Sequence, residues 1–248
     1  MNKVVLITGG GRGIGAATAL LAAKEGYAVC VNYFQNEAAA AKVSEQINAE
    51  GGKAIAVAGD VSVEADVLAL FETVDKTFGP LTALVNNAGV VGRQSTLRDM
   101  TAERMQRIFA INTLGSFLCA REAVKRMSAK ESGKGGAIVN VSSAASKHGA
   151  AFEYIDYAAS KGAVDVLTLG LSKEVAAENI RVNAVRPGLI YTELHASGGE
   201  PGRVDRLKDG IPMKRGGQPE EVAKTILWLL SEEASYVTGV LVDVTGGR

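Results

Sequence analysis

Seven short, almost wholly apolar runs recur along this chain, and most are separated by a longer stretch whose apolar residues fall three and four apart. The runs cover residues 4–7, 28–33, 54–58, 83–86, 137–142, 181–185 and 240–244. A strand without polar alternation is one buried on both faces, as in a parallel sheet. The intervening stretches, 14–25, 37–50, 63–78, 102–127, 155–178 and 220–230, read as helices, several stopping at a glycine such as Gly26, Gly51 or Gly79. Strands joined through helices require right-handed crossovers, so the expected fold is α/β, a doubly wound parallel sheet flanked by helices. No linker, low-complexity tract or repeat interrupts the pattern, which predicts one domain over residues 1–248.

Charge and composition narrow the partners. Lysine plus arginine and aspartate plus glutamate stand at 27 each, so no net field draws nucleic acid or an anionic membrane. No apolar run approaches the roughly 18 residues of a membrane span. The segment before Gly9 is too short for a signal-peptide core, and Cys30 and Cys119 lie in apolar runs outside any metal-ligand spacing. The expectation is a cytoplasmic protein with reduced core thiols and no metal, whose partners are small molecules and copies of itself.

In a doubly wound sheet, ligands sit at the carboxyl ends of the strands. After the first run comes Thr8-Gly9-Gly10-Gly11-Arg12-Gly13-Ile14-Gly15, leading straight into a helix. Such a turn lets backbone N–H groups approach a pyrophosphate, and the helix terminus adds positive partial charge. The spacing of Gly9, Gly13 and Gly15, TGxxxGxG, resembles the cofactor loop of the short-chain dehydrogenase/reductase family. That resemblance implies a Rossmann-type seven-stranded sheet of order 3-2-1-4-5-6-7, with Gly9, Arg12, Gly13, Ile14 and Gly15 on a nicotinamide dinucleotide. An NAD site usually places an acid at the end of the second strand. Here that place is Asn32-Tyr33-Phe34-Gln35-Asn36, with no acid before Glu37, while Arg12 offers a guanidinium to a 2′-phosphate. NADP(H) is expected over NAD(H), with Asn32 and Tyr33 beside it.

Two further strand ends resemble the family's pattern: Gly59-Asp60-Val61, implied to meet the adenine, and Asn86-Asn87-Ala88-Gly89, implied to stabilise the sheet and border the cofactor. After the sixth strand, Pro187-Gly188-Leu189-Ile190-Tyr191-Thr192 resembles a stretch that places backbone near Ile190 on the carboxamide and the threonine hydroxyl on phosphate.

The chemistry centres on Tyr157-Ala158-Ala159-Ser160-Lys161, a tyrosine and a lysine on one helical face. A phenol at its ordinary pKa near 10 is a poor base, and a neighbouring ammonium is expected to lower it, together with the oxidised nicotinamide's charge. Ser143 ends the fifth strand fourteen residues earlier, one or two more than many family members show, and can donate to a substrate carbonyl. Asn112 lies inside an apolar helical pattern where an amide is unfavourable. The resemblance implies that it bends the helix and holds a water in a proton relay to Lys161.

Residues 193–217 form a long polar, glycine-rich insertion that reads as a substrate lid, with His195 and Arg203 as solvated side chains or substrate contacts, and His148 as a further pocket residue. Three functions stand open: an NADP(H)-dependent oxidoreductase of a small polar carbonyl or alcohol, for which the resemblance to glucose-dehydrogenase-like members implies a sugar-like substrate; a 3-oxoacyl-thioester reductase, with Arg121, Lys125, Arg126 and Lys130 as a patch for an acidic carrier protein; and a catalytically silent NADP(H)-sensing protein. The resemblance also implies a homotetramer built through residues 102–127 and 155–178.

Overall fold

Four consecutive residues, Val4, Val5, Leu6 and Ile7, have no solvent exposure at all, and their strand is the centre of the molecule. In the computed structural model, which describes residues 3–131 and 133–248 and so leaves the first two of the N-terminal stretch outside, this is β1 (Lys3–Ile7). The chain continues through α1 (Gly13–Lys24), β2 (Tyr27–Tyr33), α2 (Glu37–Ala49), β3 (Lys53–Ala58), α3 (Glu64–Phe78) and β4 (Ala83–Asn86). Next come α4 (Ala102–Phe109), α5 (Gly115–Met127), β5 (Gly136–Val141), α6 (Ala145–His148), α7 (Ile155–Val175) and β6 (Ile180–Pro187). The short helices α8 (Leu194–Ser197) and α9 (Arg203–Leu207), then α10 (Pro219–Leu230) and β7 (Leu241–Val244), complete it.

All seven strands are parallel, in the order β3-β2-β1-β4-β5-β6-β7. Side chains alternate across β1 to feed two cores. Val5 and Ile7 join the cluster beneath α1, α2 and α10, whereas Val4 and Leu6 join the one beneath α3, α5 and α7. Cys30 and Cys119 are buried free thiols in this second core, both pushed up to about 12 by burial. Strand order reverses between β1 and β4, which opens a crevice at their carboxyl ends.

Two sequence expectations are corrected here. The single helix expected over 102–127 is interrupted by a wide π-type turn, Ala110–Leu114, centred on Asn112. The Asn112 amide satisfies the Val90 backbone instead, accepting from its N–H at 2.8 Å and donating to its carbonyl at 3.0 Å. The polar insertion after β6 carries a small core of its own, in which Leu189, Val204 and Ile211 are buried.

A chain of buried amides ties the sheet to the helices below the crevice. The Asn86 side-chain amide donates to Asn140 Oδ1 (2.9 Å) and to Ser116 O (3.1 Å), and the Asn140 amide donates to the Thr168 hydroxyl (2.9 Å). Removing the central member leaves two buried polar groups short of a partner. Asn140→Ala is expected to destabilise the fold by about 2–4 kcal/mol, measured by chemical denaturation; a loss indistinguishable from zero would show that the chain of amides contributes nothing.

Candidate active site

The crevice is a cleft of about 600 Å³, the size of ordinary small-molecule sites. Its floor is the turn after β1, where Gly9 and Gly13 adopt φ of 61° and 53°, a region unfavourable to other residues. Gly15 does not line the cleft. It packs behind the turn, where a Cβ would stand 2.5 Å from both the Asn87 amide nitrogen and Gly9 O. Asn87 uses that amide to hold the turn, donating to Thr8 O (2.9 Å) and Gly9 O (3.0 Å), while the Thr8 hydroxyl accepts from the N–H groups of Asn87 and Ala88. The first turn of α1 carries no acidic residue and no side-chain cap, so its N–H groups remain available to an anion. Thr192 lies against Gly13, close enough that a Cβ there would meet its methyl at 3.1 Å. These features fit a pyrophosphate.

At the far side of the turn, Asn32 lines the cleft, but its amide is committed. It donates to Gly59 O (3.0 Å) and Val57 O (3.3 Å) and accepts from Gly9 N–H (3.3 Å), joining β2, β3 and the turn. Asp60 is similarly occupied by the Ser62 N–H and hydroxyl. Exposed Arg12 and Phe34 stand with Tyr33, Gln35 and Asn36 around this end, and Glu37 is turned to the Tyr33 phenol, which it raises along with burial. Val61, Ala88, Gly89, Ile14, Pro187, Gly188 and Ile190 complete the wall where the sequence places them.

Ser143, Tyr157 and Lys161 come together in the same cleft. The Ser143 hydroxyl stands near the Tyr157 phenol and accepts from Ala145 N–H (3.1 Å). Lys161 is 4% exposed, its Nζ lies 5.9 Å from the Tyr157 ring centre, and it donates to Val141 O at 2.7 Å. Asn112 stands behind it rather than in the cleft wall. The two meet over Gly89, where a Cβ would lie 3.3 Å from Lys161 Nζ and 3.4 Å from Asn112 Oδ1. Asn112 also donates to the Ser160 hydroxyl (3.0 Å). The residues between Ser143 and Tyr157 are taken up by α6 and a tight turn with positive φ at Gly149, Ala150 and Phe152.

The expected lowering of the Tyr157 phenol does not come from Lys161. Burial raises it, the nearby Ser143 hydroxyl opposing, because the protein removes solvent from the phenol more effectively than it supplies charge. Burial also lowers Lys161 to about 8, against the attraction of Asp165.

Charged candidates fare differently. Arg203 is neither solvated nor free: at 5% exposure it is clamped by Glu153 and by Glu200 at 3.0 Å. His148 and His195 both line the cleft. The basic quartet on and after α5 is neutralised, Arg121 by Glu64 (2.5 Å), Lys125 by Glu122 (2.9 Å), Arg126 by Asp75 (2.7 Å) and Glu122 (2.8 Å), and Lys130 by Glu178 (2.8 Å). It is therefore not an uncompensated cationic patch. Tyr154, Val91 and Leu194 line the cleft unforeseen; only their contacts with segments distant in sequence bring them there.

Residues 9–248 match the family model described as enoyl-(acyl carrier protein) reductase. The chain is 61% identical over 245 residues to an uncharacterized oxidoreductase, YgfF, of Escherichia coli, covering 99% of each. It is 40% identical over 247 residues to glucose 1-dehydrogenase 2 of Bacillus subtilis, covering 99% of this chain and 94% of that one. Among solved structures, a 3-ketoacyl-(acyl-carrier-protein) reductase from Brucella melitensis complexed with NADH superposes with a TM-score of 0.91 at 35% identity, over 99% of this chain and 98% of that one.

Lys161 makes stability depend on pH in a defined direction. Its folded pKa of about 8 lies below the unfolded value of about 10.4. Between these values the unfolded chain binds the extra proton, so the residue's contribution becomes more favourable as pH rises. Relative to Lys161→Met, the wild type should gain up to about 3 kcal/mol between pH 7 and 10.5, read from denaturation curves of both proteins; a difference independent of pH would contradict the depressed value.

Proposed function

This chain belongs to the short-chain dehydrogenase/reductase family, and from that premise we propose that it is an NADP(H)-dependent oxidoreductase interconverting a small carbonyl compound and its alcohol. The observation that carries the reading is the convergence of Ser143, Tyr157 and Lys161 on the cleft that also holds the glycine turn. The bound nicotinamide supplies or takes up hydride. In reduction, Tyr157 gives its proton to the carbonyl oxygen while Ser143 donates to the same oxygen and holds it in place. The raised phenol suits this role, since it stays protonated until an oxyanion demands the proton. Lys161 spends one N–H on Val141 O, which leaves the others for a ribose hydroxyl and for the phenolate left behind. Asn112, beside Lys161, positions that ammonium and opens a route for the replacement proton.

The NADP(H) preference rests on Arg12, exposed at the cleft mouth, and on the lack of an acid among residues 32–36. Pairing within the basic quartet weighs against a carrier-protein substrate, and the assembled hydroxyl and ammonium groups weigh against a silent sensor. The segment carrying α8 and α9 is the proposed lid. Exposed Phe109, Leu114, Phe117, Val166 and Leu169 on the π-type turn and adjoining helices support a homotetramer, which light scattering measures directly.

Tyr157→Phe should reduce turnover by about 10³-fold with little change in NADPH affinity, assayed by NADPH oxidation with aldehydes and ketones and by fluorescence titration. Retained turnover would remove Tyr157 from the chemistry. Arg12→Ala should raise KM for NADPH about tenfold relative to that for NADH, through loss of a charge-assisted bond of about 1.4 kcal/mol. A wild type that favours NADH would refute the cofactor assignment.

A further inference from the structure

Beyond the reacting hydroxyls, the cleft wall is completed by His148 at the end of α6, Tyr154 just before α7 and His195 in α8. The cations packed around them are already matched. Arg203 pairs with Glu153 and Glu200, and Arg206 pairs with Glu200, so two guanidinium groups face two carboxylates. An anionic substrate would have to draw Arg203 away from acids already bonded to it. Arg248 lines this end as well, but its exposure to solvent weakens its hold on an anion.

Arg248 apart, the groups left to a ligand at this end are neutral. His148 Nδ1 accepts from Ala150 N–H at 3.2 Å, which assigns the proton of the neutral ring to Nε2 and makes that atom a donor. Burial lowers both imidazoles, helped by Arg248 at His148 and by Arg203 at His195, so neither carries charge at neutral pH. The Tyr154 hydroxyl is buried without a hydrogen-bond partner, and its ring lies under the Arg203 guanidinium at 5.1 Å. The Gln94 amide, which approaches this phenol, donates to Glu200 at 2.6 Å and Glu153 at 3.4 Å. A buried hydroxyl left unpaired in the wall of a ligand cleft points to a polar group that arrives with the ligand.

We infer that His148, Tyr154 and His195 form a subsite for the hydroxyl groups of a neutral hydroxy-carbonyl substrate. This deepens the proposed function and rests on it. A substrate oxygen accepts from His148 Nε2–H, and another pairs with the Tyr154 hydroxyl, while a carboxylate or phosphate would meet only exposed arginines, Arg107 and Arg248, whose attraction solvent screens. An aliphatic carbonyl compound gains nothing from these groups and leaves them unpaired on entry.

NADPH oxidation should be followed with three aldehydes: glyceraldehyde, propanal and succinate semialdehyde. The wild type is expected to favour glyceraldehyde over each of the others by about tenfold or more in kcat/KM. His148→Phe and Tyr154→Phe should each bring the glyceraldehyde-to-propanal ratio toward one, mainly through KM, with NADPH affinity retained. Because Tyr154→Phe removes an unpaired buried hydroxyl, its melting temperature should hold or rise, and His148→Phe changes an exposed side chain, so both variants remain testable. A wild-type ratio near one, a ratio retained in both variants, or a preference for succinate semialdehyde would overturn the inference alone. Turnover of none of the three by a protein that still binds NADPH would overturn the small-carbonyl reading and this inference with it.

Discussion

The Asn87 amide, donating at once to Thr8 O and Gly9 O, is the constraint on which the cleft depends. It joins the end of β4 to the turn after β1 at the place where strand order reverses. With the Thr8 hydroxyl accepting the N–H groups of Asn87 and Ala88 in return, the glycines of the turn are held without any side chain of their own. That arrangement explains why Gly15 must be bare, since a methyl group there would displace the amide. It also leaves the N–H groups of α1 facing the cleft, uncapped, where a phosphate gains most from them.

A second tension runs through the reacting centre. Lys161 is almost fully enclosed, and enclosure disfavours its charge, yet the proposed chemistry calls for a cation beside the phenol. The surrounding groups hold it by geometry: Val141 O fixes one N–H, Asp165 one helical turn away favours the charge, and bare Gly89 admits the ammonium next to Asn112. Asn112 can be there only because the helix widens at residues 110–114, which turns its amide toward the Val90 backbone. The local departure from regular helix therefore serves the site rather than the core.

Opposite this centre, the insertion after β6 combines a polar surface with firm anchoring. The salt bridges of Arg203 and Arg206 to Glu153 and Glu200 tie α9 to the turn before α7, and Leu189, Val204 and Ile211 give the segment an apolar footing. Its position over this end of the cleft thus follows from the pairing of buried Arg203, whose acids, if removed, would leave an uncompensated ion.

The architecture was legible in the chain because it rests on local regularities. Apolar runs of strand length, helical periodicity, and glycines at the turns dictate a parallel sheet whichever side chains later meet. The residues that meet in the cleft were legible for a similar reason, since Tyr157 and Lys161 share a helical face and Ser143 ends a strand. What the sequence could not display was pairing between distant segments. Arg203 looked like a solvated lid residue until Glu153, fifty positions away, enclosed it; the basic quartet looked like a patch until Glu64, Asp75, Glu122 and Glu178 neutralised it. Likewise, Tyr157 looked as though it would be lowered by its lysine until packing removed the water around it. Spacing along the chain determined the fold and the candidate reacting groups, whereas the net charge and solvation of each group were decided by the tertiary structure, because both depend on neighbours that only folding brings within a few ångströms.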